Sequence, residues 1–239
     1  MLPDLRNILV IDIETVGCAE NYQALDDRLK KEWDRKSKFL LNNDIMSPEE
    51  LFNDRGGIYS EFGKIVVIGM ATFNLNEEKE LCLRVKALAS DDEKSLLNDF
   101  KHLVETKFDQ KRLAFCAHNG KEFDYPYLSR RMLINGIELP FALDHSGKKP
   151  WEINHIDTMN LWKFGDRKSF TSLELLAALF GIESSKSDID GSMVSKVYYE
   201  DKDLNKIAEY CKQDVVVTAQ LLLKLKSQQG IKQENITSL

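Results

Sequence analysis

The stretch Ile8-Leu9-Val10-Ile11-Asp12-Ile13-Glu14 decides how the rest of the chain is read. It is short, rich in β-branched residues and apolar up to Asp12, the pattern of a strand buried on both faces. Asp12 and Glu14 stand two residues apart where the apolar run stops. Their side chains therefore project to the same side of a sheet, about 7 Å apart along the strand. Two carboxylates at the edge of a buried strand repel each other and lose hydration, which is unfavourable unless a cation or hydrogen-bond donors neutralise them. A Mg²⁺ ion would do so; a solvated strand end or a helix cap is the plainer reading of an isolated pair.

Working outward, Tyr22, Leu25, Leu29 and Trp33 recur at helical spacing, and Ser47-Pro48-Glu49-Glu50 combines a capping box with proline at the first helical position. Residues from about Cys18 to Phe62 read as a helical excursion ended by Gly56-Gly57. A second strand, Lys64 to Phe73, leads through Asn74-Leu75-Asn76 into an alternating stretch from Glu80 to Val85, a hairpin. An amphipathic helix follows from Ser90 to Phe108, with Ser90 and Glu93 as its capping box. Then come a buried strand from Arg112 to Ala117, a helix from about Asp124 to Asn135 closed by Gly136, and a strand from Trp151 to Asp157. The loop Gly147-Lys148-Lys149-Pro150 is a candidate phosphate contact or merely solvated, and the solvated reading is preferred because short lysine runs are common on surfaces. A helix over Ser172 to Gly181 precedes a last long one, whose Leu204, Ile207, Ala208, Cys211, Val215, Thr218, Leu222 and Leu225 form one apolar stripe. The tail after Gln229 is polar and expected to fray. Strands separated by helices predict a single α/β domain over residues 1–239 with one helical insertion.

The 239 residues allow a sizeable core, and 43% hydrophobic with 30% charged residues is the composition of a folded, water-compatible chain. No apolar run reaches the ~18 residues of a membrane span, and Asp4 and Arg6 occupy the place of a signal peptide's apolar stretch. A net charge of −6 argues against gripping nucleic acid by bulk charge. Cys18, Cys82, Cys116 and Cys211 form no C-x-x-C pair and suit reduced thiols in a cytoplasm.

Two further carboxylates matter. Asp124 follows the buried strand across the turn His118-Asn119-Gly120-Lys121-Glu122-Phe123, where alone it would be a helix cap. Asp214 lies one helical turn beyond Tyr210, to the side of the apolar stripe. Hard oxygen ligands from three separate elements are what a pair of Mg²⁺ or Mn²⁺ ions requires.

The order Asp12-Ile13-Glu14-Thr15, Asn119-x-x-x-Phe123-Asp124, Tyr210-x-x-x-Asp214 resembles the DEDD superfamily of 3′-to-5′ exonucleases, in particular the tyrosine subgroup related to B-family DNA polymerase proofreading domains. The resemblance spans residues 8 to about 225, with Lys64 to Gly69, Ile156-Asp157-Thr158, Ser172-Leu173-Glu174-Leu175 and Asp190-Gly191 in support. A histidine-type member would carry His five residues before the last aspartate; this chain has Glu209 there and Tyr210 next. The resemblance implies a ribonuclease H-like α/β fold, a mixed central β-sheet flanked by helices, here with an insertion after the first strand. It also implies that Asp12 bridges two ions, that Glu14 and Asp214 complete the site of the one that binds water, and that Asp124 holds the other. Tyr210 would orient the nucleophile, while Thr15, Asn119 and Phe123 would contact the substrate. That substrate would be single-stranded DNA with a free 3′ end. An exoribonuclease with the same ions, or a catalytically silent nucleic-acid-binding module, are the alternatives. His118, His155 and Asp157 lie near strand ends but off the motif positions and read as structural. The long segment after the first motif leaves substrate access and oligomeric state open.

Overall fold

The computed structural model of the chain describes residues 4–40, 45–166, 170–183 and 189–239, so residues 41–44 of the expected excursion lie outside it. In chain order the elements are β1 (Ile8–Gly17), α1 (Asp27–Ser37), α2 (Pro48–Arg55), β2 (Gly63–Leu75), β3 (Leu81–Ala89), α3 (Glu93–Lys107), β4 (Ala114–Ala117), α4 (Asp124–Ile134), β5 (Ile156–Asp157), α5 (Thr158–Lys163), α6 (Leu173–Phe180), α7 (Val194–Lys196), α8 (Leu204–Leu225) and β6 (Ile236–Ser238). The strands form a mixed sheet in the order β5-β4-β1-β2-β3-β6. The β1–β2 and β2–β3 pairs are antiparallel; β4 runs parallel to β1, β5 to β4, and β6 to β3. Helices cover both faces, as the α/β expectation required.

Alternation along β1 assigns its faces. Leu9, Ile11 and Ile13 pack with Leu97 and Phe100 of α3 and Leu128 and Met132 of α4. Ile8 and Val10 pack with Val215, Ala219 and Leu222 of α8. Asp12 and Glu14 share the parity of Ile8 and Val10, so both carboxylates lie on the α8 side of the sheet.

β1 does not stop at Glu14 as expected. It continues to Gly17, and the carboxylates sit within the strand. The register slips between Glu14, opposite Val67, and Thr15, opposite Ile65. Val66 is the extra residue of a β-bulge, and Val66 and Val67 consequently both join the cluster containing Ile207 and Cys211. A bulge leaves a backbone N–H without its ladder partner, and a buried donor needs an acceptor. The Ile65 N–H donates to Glu93 Oε1 at 2.8 Å. That overturns the expected capping box: Asp92, accepting from the N–H groups of Lys94 and Ser95 at 3.0 and 3.2 Å, is the N-cap of α3. Glu93 turns inward, where Arg131 grips it at 2.9 and 2.6 Å.

Two other expectations change. The strand expected from Trp151 pairs only at Ile156–Asp157, because residues 150–152 close a single 3₁₀ turn in which Glu152 accepts from the Lys149 N–H at 2.7 Å. The tail does not fray: Ile236–Ser238 add to β3, Ile231 is buried, and the Gln220 amide bonds both the N–H and the carbonyl of Ile231, at 2.9 and 2.7 Å. The excursion after β1 has a small core of its own, in which the Trp33 ring meets Phe52 and Phe62 edge-on at 5.3 and 5.0 Å. Among the described residues no helix is long and apolar enough to cross a membrane, and all four cysteines are free.

Candidate active site

The helix α8 reaches the carboxylate pair because β2 offers no side chain in its way. Gly69 stands opposite Asp12, and a Cβ there would lie 2.8 Å from Cys211 Sγ and 2.9 Å from the Cys211 carbonyl oxygen. Glycine thus lets the helix backbone rest on the strand. The Cys211 thiol then donates to Asp12 Oδ2 at 3.2 Å and lies 3.4 Å from the Asp12 carbonyl. The donor atoms of Asp12, Glu14 and Cys211 all lie within 4.8 Å of one another. On the same helix, Tyr210 and Asp214 are one turn apart, and the tyrosine hydroxyl hydrogen-bonds the carboxylate.

Asp124 arrives from the other edge of β1. The ladder between β1 and β4 covers only Ile8 to Val10, so further along β1 this edge lacks β4 carbonyls. Asp124 Oδ1 accepts from the Ile13 N–H at 3.2 Å, between the two strand carboxylates. Asn119 makes the turn possible: at φ 63° its carbonyl accepts from the N–H groups of Glu122 and Phe123, at 3.1 and 3.0 Å. Asp124 is the first residue of α4 rather than its cap.

The electrostatics are strained. Burial, then Glu14, Asp124 and Asp214, push the Asp12 carboxyl well above the ordinary range. Glu14, only 7% exposed, is raised by burial and then by Asp214. Burial lifts Asp124 to about 7 and Asp214 to about 6, the Tyr210 hydrogen bond opposing the latter. Among the described residues none of the four carboxylates is paired with a lysine or arginine. Hard oxygen donors crowded in a desolvated pocket without a countercharge fit divalent cations of the Mg²⁺ and Mn²⁺ type.

Of the sequence-derived residues, Asp12, Glu14, Asp124, Tyr210 and Asp214 thus come together. Thr15 turns away: its hydroxyl donates to the Gly57 carbonyl at 2.8 Å. Phe123 is half-buried beside the Tyr127 ring, with centroids 5.3 Å apart. His118 is bonded to Thr158 Oγ1 at 2.9 Å and to the Thr171 carbonyl at 2.8 Å. His155 accepts from the Phe115 N–H at 3.2 Å and donates to the Ala142 carbonyl at 2.9 Å. Asp157 accepts from the N–H groups of Asn119 and Lys121 at 3.1 and 3.2 Å, fixing the turn ahead of Asp124. Cys211 and Gly69 escaped sequence reasoning as site residues. The position of Cys211, directly after Tyr210 and three before Asp214, was the available signal.

A family described as "Predicted 3'-5' exonuclease related to the exonuclease domain of PolB" matches residues 58–237. The match takes in Asp124, Tyr210 and Asp214 and begins after Asp12 and Glu14, which join them through the geometry above. DNA polymerase 1 of Pyrococcus abyssi is 27% identical over 139 residues, 51% of this chain, and the same polymerase from strain GE5 / Orsay matches equally. The chain spans 17% of those relatives' length. The solved family B DNA polymerase from Pyrobaculum calidifontis matches with a TM-score of 0.53 at 15% identity, covering 91% of this chain and 24% of that one, a likeness of fold.

Proposed function

The chain belongs to the family of predicted 3′-5′ exonucleases related to the exonuclease domain of PolB, and from that premise we propose that it trims single-stranded nucleic acid, DNA by preference, from the 3′ end. In this reading residues 1–239 act as one exonuclease domain of the tyrosine-type DEDD group. The products are nucleoside 5′-monophosphates and a strand one residue shorter that again ends in a 3′-hydroxyl. The observation that supports it best is the convergence of Asp12, Glu14, Asp124 and Asp214 from three elements into one mutually repelling cluster, in which Glu14 and Asp124 are buried and Asp12 and Asp214 partly so. Such an arrangement opposes folding on its own and is explained by what it binds.

Asp12, Glu14, Asp124 and Asp214 would hold two Mg²⁺ or Mn²⁺ ions, which supply a more acidic attacking water and a countercharge for the departing 3′-oxygen. The chain's own groups then set geometry. Burial and the surrounding carboxylates hold the Tyr210 hydroxyl protonated far beyond neutral pH. It therefore serves to orient the attacking water for in-line approach rather than to remove its proton. The water oxygen bonds to the terminal phosphorus as the bond from phosphorus to the preceding 3′-oxygen breaks, the water's proton passing to solvent and the departing 3′-oxygen taking one up from solvent to become the new 3′-hydroxyl. The Cys211 thiol, also held protonated by burial, keeps the Asp12 carboxylate in place. Asn119 and Phe123 belong to the turn that leads into Asp124, and in this reading they seat the terminal nucleotide, whose base can stack on the ring.

The test uses matched single-stranded DNA and RNA labelled at the 5′ end, incubated with Mg²⁺ or Mn²⁺. Ladders shortening from the 3′ end, slowed by a 3′-phosphate and faster on DNA, support the proposal; faster trimming of RNA favours the exoribonuclease. Cuts in a circular strand would make the enzyme an endonuclease, and binding without hydrolysis would make it a silent module. Asp12→Ala, with circular dichroism to check folding, is the inactive control.

A further inference from the structure

On the side of α4 away from β1 the structure holds a cavity of about 240 Å³. Leu128 and Met132 of α4 turn to the sheet, while Tyr125 and Leu133 of the same helix, with Leu139, Leu143 and Ile153 from the segment behind it, wall the cavity with apolar surface. The hydroxyl groups in that wall are already engaged. Ser129 donates to the Tyr125 and Leu143 carbonyls at 3.0 and 3.1 Å, and Ser146 donates to Asp144 at 2.7 Å. Burial, then Lys148, hold the His145 imidazole below its ordinary pKa, so at neutral pH it adds no charge. Cations stand at the mouth: Lys121 and Arg130 line it, and Lys148 lies within electrostatic reach of His145. Among the described residues none of the three forms an ion pair. The acid within reach of Lys148 is Asp144, which Ser146 occupies. Lys148 and Lys149 are open to solvent, their ammonium groups 5.8 and 5.3 Å from the ring centres of Phe141 and Trp151. Leu133 and Phe141 are each 62% exposed. In a chain of net charge −6 this is a cationic rim around an uncharged pocket.

We infer that this cavity docks an acidic segment of a partner protein through one large apolar side chain, which enters between α4 and residues 139–153 while the acids meet Lys121, Arg130 and Lys148. The size fits a single side chain, since pockets for whole small molecules begin at roughly 300 Å³. The wall chemistry selects hydrocarbon. A nucleobase buried there would leave the polar groups of its edge without partners, each a loss of binding, whereas an aliphatic or aromatic side chain leaves none. An apolar anchor in a pocket carries the affinity of such a contact, and complementary charges at its rim carry the rate and the choice of partner. Asp124 leaves the same helix on the β1 side, where it accepts from the Ile13 N–H. A segment docked on the opposite flank therefore leaves the carboxylates uncovered and raises the local concentration of this chain wherever the partner sits.

The probe is the peptide Asp-Asp-Asp-Asp-Leu-Phe, with fluorescein at its N-terminus and an amide at its C-terminus, titrated with the full chain in EDTA and read by fluorescence anisotropy. Saturable binding is expected. Ala-Ala in place of Leu-Phe should weaken it about 30-fold, and so should Leu133→Asp, which sets a carboxylate at the mouth. Arg130→Glu and Lys148→Glu should each weaken it about 10-fold. All three positions are exposed, so the urea midpoints of the variants should match wild type, and so should their rates on a free single strand. Absence of saturable binding, equal binding of the Ala-Ala peptide, or undiminished binding by the three variants overturns the docking site. Displacement of the peptide by single-stranded DNA, with a raised KM for that strand in Lys148→Glu, overturns it in favour of a nucleic-acid contact. Because binding is read without metal or turnover, the result stands whether or not any strand is hydrolysed, and the exonuclease reading fails or holds separately.

Discussion

Asp124→Asn should stabilise the metal-free protein and disable it as an enzyme. The carboxyl is 3% exposed and lifted from 3.8 to about 7, chiefly by burial. At about 1.4 kcal/mol per pH unit, its ionised form carries up to about 4 kcal/mol of unfavourable free energy in the fold. The sign follows from proton linkage. Between about pH 4 and 7 the folded protein binds more protons here than the unfolded chain, so stability falls as pH rises through that window and stays low above it. Asparagine removes the charge and keeps an oxygen for the Ile13 N–H, but its amide hydrogens need partners, which offsets part of the gain. About 2 kcal/mol is expected to remain at pH 8 in EDTA, a rise in Tm of about 4–8 °C. At pH 5, where Asp124 is already protonated in the wild type, the advantage should vanish. Saturating Mn²⁺ should reverse the order, since wild type gains more from ligand binding to its folded state. Thermal unfolding at the two pH values, with EDTA or Mn²⁺, measures all of this. An Asp124→Asn protein less stable than wild type at pH 8 in EDTA, or equally shifted at both pH values, would refute the reasoning.

Other perturbations probe the supports of the cluster. Gly69→Ala places a methyl group 2.8 Å from Cys211 Sγ and 2.9 Å from its carbonyl, so α8 must shift; about 1–3 kcal/mol of stability should be lost, with a fall in kcat, and an unchanged urea midpoint would show that the helix has room. Tyr210→Phe should lower kcat by roughly 10²- to 10⁴-fold while the Mn²⁺-induced rise in Tm stays as in wild type; full activity would reduce the ring to packing. Arg131→Ala leaves Glu93 buried without its guanidinium and should destabilise by about 3–5 kcal/mol in urea unfolding; a loss below about 1 kcal/mol would mean that solvent reaches the pair. Shortening the excursion between Cys18 and Phe62 should change the preferred strand length, and a changed oligomeric mass with an unaltered product profile would assign it to self-association instead.

The strand around Asp12 and the stripe on α8 were legible because each is a local pattern: an apolar run interrupted by acids, and a 3.6-residue repeat. Asp12 and Glu14 end the first pattern and Tyr210 and Asp214 flank the second, but it was the resemblance of the three motifs in order to the DEDD exonucleases that singled out these residues together with Asp124. What stayed hidden depends on partners far away in the chain. Ile65-Val66-Val67-Ile68 is apolar at every position, so no alternation betrays the bulge at Val66, and without the bulge nothing calls for Glu93 as an acceptor. Ser90 and Glu93 satisfy the capping pattern in isolation; the unpaired Ile65 N–H competes for the same carboxylate and wins. The strand Ile236–Ser238 has almost no apolar signature, since it owes its place to β3 and to Gln220. Cys211 read as core, which it is; that its sulfur also touches Asp12 depends on Gly69, contributed by another element.

The excursion after β1 leaves and re-enters the sheet through one doorway. The Cys18 N–H donates to the Phe62 carbonyl at 2.8 Å, and the Gly57 carbonyl receives hydroxyl groups from both Thr15 and Tyr127 at 2.8 Å. Its ends are held together by the body of the protein, and the Trp33 cluster supplies its own packing. Loop closure grows only slowly more expensive with length, so a segment pinned in this way can be lengthened, shortened or exchanged like a cartridge while Glu14 and Asp12 keep their positions four and six residues upstream of Cys18. Natural variation in this family could therefore tune which strands reach the carboxylates by changing the cartridge and leaving the chemistry untouched.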